Sequence, residues 1–152
     1  MTARADQLDS ASDAAASRGA HEETMATWTE IQAHMRGRYR LHADDPEVLA
    51  MSWTYDDGRS QRIVVRRYEH LGHEMVELKS PFADFGGPDP IELLRENARL
   101  AFGAVALSGD VYIVVHNADA RLLTVEAFDD LLARVARLAD RLESRYGQSD
   151  RF

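Results

Sequence analysis

Residues 95–124 read RENARLAFGAVALSGDVYIVVHNADARLLT. A short helical pattern runs out at Asn97, and a run of small and aliphatic residues follows. Ser108-Gly109-Asp110 breaks that run before a second apolar one begins. Two apolar runs joined by a glycine-containing turn make an antiparallel hairpin. Thr124 then stands at a helix N-cap position, with Leu123 and Phe128 at the two positions of a hydrophobic staple. Asn97 thus lies between a helix and a strand, and its role is punctuation. Its amide can bond the last free helix carbonyls or anchor the strand that follows. A catalytic or ligand-binding role would need a partner group to which the sequence does not point.

On the C-terminal side, Phe128, Leu131, Leu132, Val135, Leu138, Ala139, Leu142 and Tyr146 keep the helical period, and Gly147 ends it. On the N-terminal side, Asp89 is a cap, Pro90 suits the first helical position and Glu92 completes a capping box. IELLRENARL is then a short helix with Ile91, Leu94 and Ala98 along one stripe. Three strand-like runs lie upstream: EVLAMSWTY (47–55), RSQRIVVRRYEH (59–70) and HEMVELKSPF (73–82). Asp56-Asp57-Gly58 and Leu71-Gly72 turn between them, and Pro81 is expected to help stop the third. Before them, Met25, Trp28, Ile31 and Met35 fall at helical spacing, with Gly37 near the helix end. The expected order is α-β-β-β-α-β-β-α. Hairpin-linked strands and segregated helices make this an α+β fold, an antiparallel sheet with helices mainly on one face.

The chain has 152 residues, the size of one domain. Residues 1–20 are rich in Ala, Ser and Asp and poor in large apolar groups, which predicts a flexible N-terminal arm. Residues 21–148 form the single domain, and 149–152 a C-terminal tail. There are no cysteines, which removes disulfides, zinc–thiolate sites and thiol nucleophiles together. The net charge of −8 opposes a general nucleic-acid partner and an anionic membrane surface. Neither a secretory signal nor a membrane-length apolar stretch is present in the sequence, and the expected location is cytoplasmic.

Chemistry-bearing motifs are sparse. His70-Leu71-Gly72-His73, flanked by Glu69 and Glu74, places four nitrogen and oxygen ligands close together. The spacing is that of a hairpin turn, however, and not the helical arrangement that puts two imidazoles on one face. GGPDP lacks the signatures of phosphate loops and precedes an acidic helix start. Ser80 and Ser108 lie in no nucleophile motif. The pairs Asp44-Asp45, Asp56-Asp57 and Asp129-Asp130 fit loops and helix starts. No catalytic residue, metal or cofactor is assigned. The patch with most promise is RIVVRRY (62–68). There Ile63 and Val65 point to one face, and Arg62, Val64, Arg66 and Tyr68 to the other. Trp53 and Tyr55 on the preceding strand are expected beside it. The plain reading of this stripe is a solvated outer sheet face, paired to Glu74 or Glu77. The functional reading is a peptide or dimer surface, since arginine and aromatics favour interfaces. Arg134, Arg137, Asp140 and Arg141 form the polar face of the last helix, a second candidate whose plain reading is also a solvated face.

Residues 91–146 resemble the C-terminal half of YbjN-domain proteins, within the wider type III secretion chaperone-like fold. Leu93, Asn97, Phe102, Gly103, Leu123, Thr124, Glu126, Ala139 and Asp140 carry the resemblance. It implies a compact cytoplasmic domain, often a homodimer, of a kind that holds an extended client segment without nucleotide. The resulting expectation is a non-enzymatic, chaperone-like or adaptor module. Its partner-binding residues would be Trp53, Tyr55, Arg62, Val64, Arg66 and Tyr68, bound to a client or partner protein and to a second copy, not to nucleic acid or membrane. The alternatives are a self-associating regulatory or scaffolding domain and a small-ligand binder.

Overall fold

The computed structural model describes residues 25–147; the arm expected over 1–20 and the tail at 149–152 lie outside them. The elements are α1 (Trp28–Arg38), β1 (Leu41–Asp44), β2 (Val48–Thr54), β3 (Ser60–His70), β4 (His73–Asp84), α2 (Pro90–Asn97), β5 (Ala104–Ser108), β6 (Val111–Asp119), a 3-10 turn (Ala120–Leu122) and α3 (Val125–Tyr146). All strand pairings are antiparallel, in the order β1-β2-β3-β4-β6-β5. The α+β class and the sequence of helices and hairpins are as expected, with one strand more. That strand, β1, is Leu-His-Ala-Asp, too short to display an alternation, and it joins β2 with a register shift between Leu41 and Ala43.

α3 packs across β3, β4 and β6, with α1 against α3. Its Phe128, Leu132, Val135, Ala136 and Ala139 are fully buried and meet a sheet surface that includes Ile63, Val65, Val76, Leu78 and Val114. Each large apolar side chain so buried contributes about 1.5–3 kcal/mol. Trp28, Ile31 and Met35 of α1 are buried as their spacing predicts. Thr27 opens α1 with a full capping box to Glu30. Thr124 caps α3 by accepting from the Ala127 amide at 3.0 Å, and both staple residues, Leu123 and Phe128, are buried.

Two local expectations are corrected, the capping box of α2 and the end of β4 at Pro81. Asp89 does cap α2, accepting from the Ile91 amide at 3.0 Å, but no capping box closes there. Glu92 turns to α3 instead, where Arg145 (3.7 Å) and the Tyr146 hydroxyl (3.4 Å) receive it. The stripe of Ile91, Leu94 and Ala98 lies on the surface: α2 buries Leu93 and Glu96, leaving Ile91 and Leu94 53% and 63% exposed. Glu96 is drawn inward by Arg145 at 3.0 Å. Finally, β4 runs through Pro81 to Asp84.

Pro81 is tolerated inside the sheet because of where its missing N–H would point. Its carbonyl accepts from Gln61 Nε2 at 2.6 Å, so the imino side of Pro81 also faces β3. The β3–β4 register ends at Val64↔Lys79, and beyond that point side chains do the stitching. Gln61 reaches Pro81, and the Ser80 hydroxyl donates to the Arg62 carbonyl at 2.6 Å.

Asn97 performs a related task at the far edge. Its Oδ1 accepts from the Val105 amide at 2.8 Å and its Nδ2 donates to the Val105 carbonyl at 3.4 Å. Of the two roles open to it, the structure selects the second: Asn97 anchors the strand that follows. Gly103 makes the return path possible. Its φ is +68°, and a Cβ there would meet the Val115 carbonyl at 3.3 Å, against Val114 and Leu138.

A candidate protein-binding surface

The six residues singled out in sequence fall on two faces. Arg62, Val64, Arg66 and Tyr68 alternate with buried Gln61, Ile63 and Val65 and point away from the helices. Trp53 and Tyr55 do not join them. Trp53 lies opposite Gln61, on the helix side, and packs against the Tyr39 ring at 6.3 Å. Tyr55 also packs against the core, its ring 5.5 Å from the Arg59 guanidinium. Its hydroxyl is buried without a hydrogen-bond partner, and desolvation, aided by Asp140, pushes its pKa up to about 12. Trp53 shares the inward phase of Leu49 and Met51 in β2, and Tyr55, just past the end of that strand, keeps to the same side.

Strand alternation and register place a continuous set of side chains on the open face. Val64 of β3 lies opposite Lys79 of β4, Lys79 opposite Val115, and Pro81 opposite Ile113 of β6. Ala104 and Ala106 of β5 continue the row across Val115 and Ile113. None of these belongs to the core cluster, and no described helix packs over them. A groove of about 420 Å³ is lined by Val64, Pro81, Val111 and Ile113 together with Arg62 and Lys79. Polar pairs border it. Arg66 meets Glu77 at 3.2 Å and lies 4.9 Å from the Tyr68 ring, whose hydroxyl donates to Asn117 Oδ1 at 2.8 Å. Lys79 reaches Glu77 at 3.5 Å. Glu74, the other expected partner, pairs with Arg67 at 2.6 Å instead. Arg62 has no ion-pair partner among the described residues. Arg66 and Tyr68 are therefore tied into the face, while Arg62 and Val64 present themselves.

The sheet edges offer less. β1 is four residues long and irregular, and Asn97 occupies both backbone groups of Val105, the second residue of β5. Blunted edges of this kind resist strand addition. Beside β5 lies an exposed apolar feature. Phe85, Leu94 and Leu107 are each at least half exposed around a groove of about 230 Å³ between α2 and β5, with Ile91 on the same helix. The Ile91–Leu94 stripe was its signal in sequence; which side of α2 that stripe would face was not legible there.

The histidine hairpin is a surface network. His73 contacts Asp119 and Arg121, and hydrogen bonds from Arg121 hold the Asp119 carboxyl down to about 2. Among the described residues, no three His, Asp or Glu side chains stand close enough to hold a metal ion. No described helix is long and apolar enough to cross a membrane.

No protein-family model and no curated protein matches the chain. Solved structures do. A chain of the ExsC–ExsE complex superposes with a TM-score of 0.59 at 16% identity, over 78% of this chain and 92% of that one. A chain of the HopA1–SchA chaperone–effector complex gives 0.55 at 13% identity, over 74% and 88%. A chain of the heterodimeric ExoU–SpcU complex from the type III secretion system of Pseudomonas aeruginosa gives 0.52 at 14%, over 76% and 95%. At such identities the likeness speaks for architecture: this chain has the type III secretion chaperone-like fold.

Proposed function

We propose that this chain is a non-enzymatic protein-binding module, chaperone-like or adaptor in kind, that holds a segment of a client protein and works as a cytoplasmic homodimer. The observation that carries the reading is the open sheet face, a partly apolar surface over which no described helix packs. An extended client segment laid across Val64, Pro81 and Ile113 would bury alternate side chains there, and its acidic groups would meet Arg62 and Lys79. The blunted edges favour docking on the face over strand addition. The resemblance of residues 91–146 to YbjN-domain proteins, and the fold shared with a chaperone–effector complex, support the same reading.

Self-association draws support from the apolar patch of Phe85, Ile91, Leu94 and Leu107, a feature that monomers seldom leave open. The same patch favours the second reading, a regulatory or scaffolding domain whose dimerisation is its purpose. One experiment separates them. The tagged full chain is recovered from its own cytoplasm, and its complexes are sized by light scattering and mass spectrometry. The client reading expects one partner at a fixed ratio to a dimer, lost at least tenfold in Ile113→Asp with Arg62→Glu. Unchanged partner affinity in that variant, and in Arg66→Glu with Tyr68→Ala, removes the open face from the proposal. Leu94→Glu with Leu107→Glu is expected to give a monomer; a persistent dimer moves the self-association surface elsewhere.

A further inference from the structure

The outer face of α3 holds a concentration of positive charge that the acidic chain does not neutralise. Arg134, Arg137 and Arg141 follow one another at helical spacing, and Arg99, in the segment between α2 and β5, faces them across a cleft of about 480 Å³. Phe102 and Leu138 line it with apolar surface. Two of the four arginines have carboxylate partners: Arg134 meets Asp130 at 2.7 Å, and Arg99 meets Glu96 at 3.7 Å. That Glu96 is already held at 3.0 Å by Arg145. Arg137 and Arg141 have no ion-pair partner among the described residues. The Arg134 guanidinium lies 5.8 Å from the Phe102 ring, and Phe102 stacks on His116 at 4.2 Å.

We infer that this cleft binds an acidic polypeptide segment, a second contact for the client that is distinct from the open sheet face. The cations lie in a row along α3, spread over about 10 Å by the rise of a helix. A row of forked donors matches successive carboxylates along a chain, each able to engage a guanidinium through two bonds. Phe102 and Leu138 supply the apolar floor for the residues between. A compact oxyanion would touch only one or two of these arginines. The inference rests on the reading of this chain as a holder of polypeptide.

The test uses the full chain, labelled with nitrogen-15, and two synthetic peptides, Glu-Leu-Glu-Glu-Leu-Glu and Gln-Leu-Gln-Gln-Leu-Gln, at low salt. The acidic peptide is expected to shift the Arg137 and Arg141 side-chain signals and the His116 ring saturably. The neutral peptide is expected to do neither. In Arg137→Gln with Arg141→Gln, both exposed and unpaired, affinity is expected to fall about tenfold, as loss of two charge pairs implies. Equal affinity in that variant overturns the inference, as does the absence of saturable shifts. Displacement of the peptide by inorganic phosphate, at a concentration where equal ionic strength of sodium chloride leaves it bound, also overturns it in favour of a compact anion site. The two sites fail separately. If Ile113→Asp abolishes client binding and the cleft stays silent, only the cleft is lost; if the cleft binds and Ile113→Asp changes nothing, only the open face is.

Discussion

Asn97 meets Val105 across the outer edge of β5, and Gln61 meets Pro81 in the interior of the sheet. Both amides point at the backbone of a strand residue whose own ladder bonds are unavailable on that side. Val105 offers an N–H and a carbonyl, and Asn97 takes both. Pro81 offers a carbonyl only, and Gln61, fully buried, is left with Oε1 unpartnered. The difference is one imino nitrogen. It shows that a side-chain amide can stand in for a neighbouring strand, and that the substitution is complete only where the backbone supplies both groups.

The comparison can be broken first at Asn97. Asn97→Leu strands the Val105 amide and loosens α2 from β5, and should cost about 2–3 kcal/mol in urea unfolding. A cost under about 0.5 kcal/mol would mean that the clamp holds nothing. Gln61→Leu should cost less, about 1 kcal/mol, because it removes an unsatisfied oxygen along with one hydrogen bond; a loss matching that of Asn97→Leu would erase the distinction. Pro81→Ala should sharpen it. The new N–H can reach Oε1, and the gain, offset by about 0.4–1 kcal/mol of restored freedom in the unfolded chain, should leave stability level or slightly raised. In a Gln61→Leu background the same change should only destabilise, and the double-mutant cycle reads the coupling directly.

The smallest effect concerns the other unpartnered buried atom, the Tyr55 hydroxyl. Its pKa is raised to about 12, mainly by desolvation. Tyr55 thus contributes stability that is complete below the ordinary tyrosine value of about 10 and is lost as pH rises through the folded value. Phenolate absorbance should show a late alkaline step that Tyr55→Phe removes while changing stability at neutral pH by under about 0.5 kcal/mol. Persistence of that step would assign it to another tyrosine.

Much of the architecture was legible because it rests on local chemistry. Thr124 with Leu123 and Phe128, the hairpin at Ser108-Gly109-Asp110 and the alternation of Ile63 and Val65 each declare themselves within a few residues. The misreadings came where tertiary contacts settle the matter. Glu92 would suit a capping box in isolation, but Arg145 lies 53 residues away in sequence and beside it in space, at 3.7 Å. Which side of α2 goes inward depends on where that helix docks, so its apolar stripe could be seen in sequence but not placed, and it lies on the surface. Arg62, Val64, Arg66 and Tyr68 were placed on one face by the strand period, and the same period applied from Leu49 and Met51 onward would have set Trp53 and Tyr55 apart from them. The arginine row of α3 was visible as spacing, but Arg99 and Phe102 join it only through the fold.

The clamp at Val105 has a consequence for the timing of solvent exchange. Amide protons that face outward from an edge strand are normally replaced quickly in heavy water. The Val105 proton is held at 2.8 Å by a side chain that belongs to α2, so its lifetime is set by how often that helix lets go of the strand. A single slow proton on an otherwise fast rim would then clock the detachment of α2, and with it the opening of the apolar groove between α2 and β5, separately from unfolding of the whole domain.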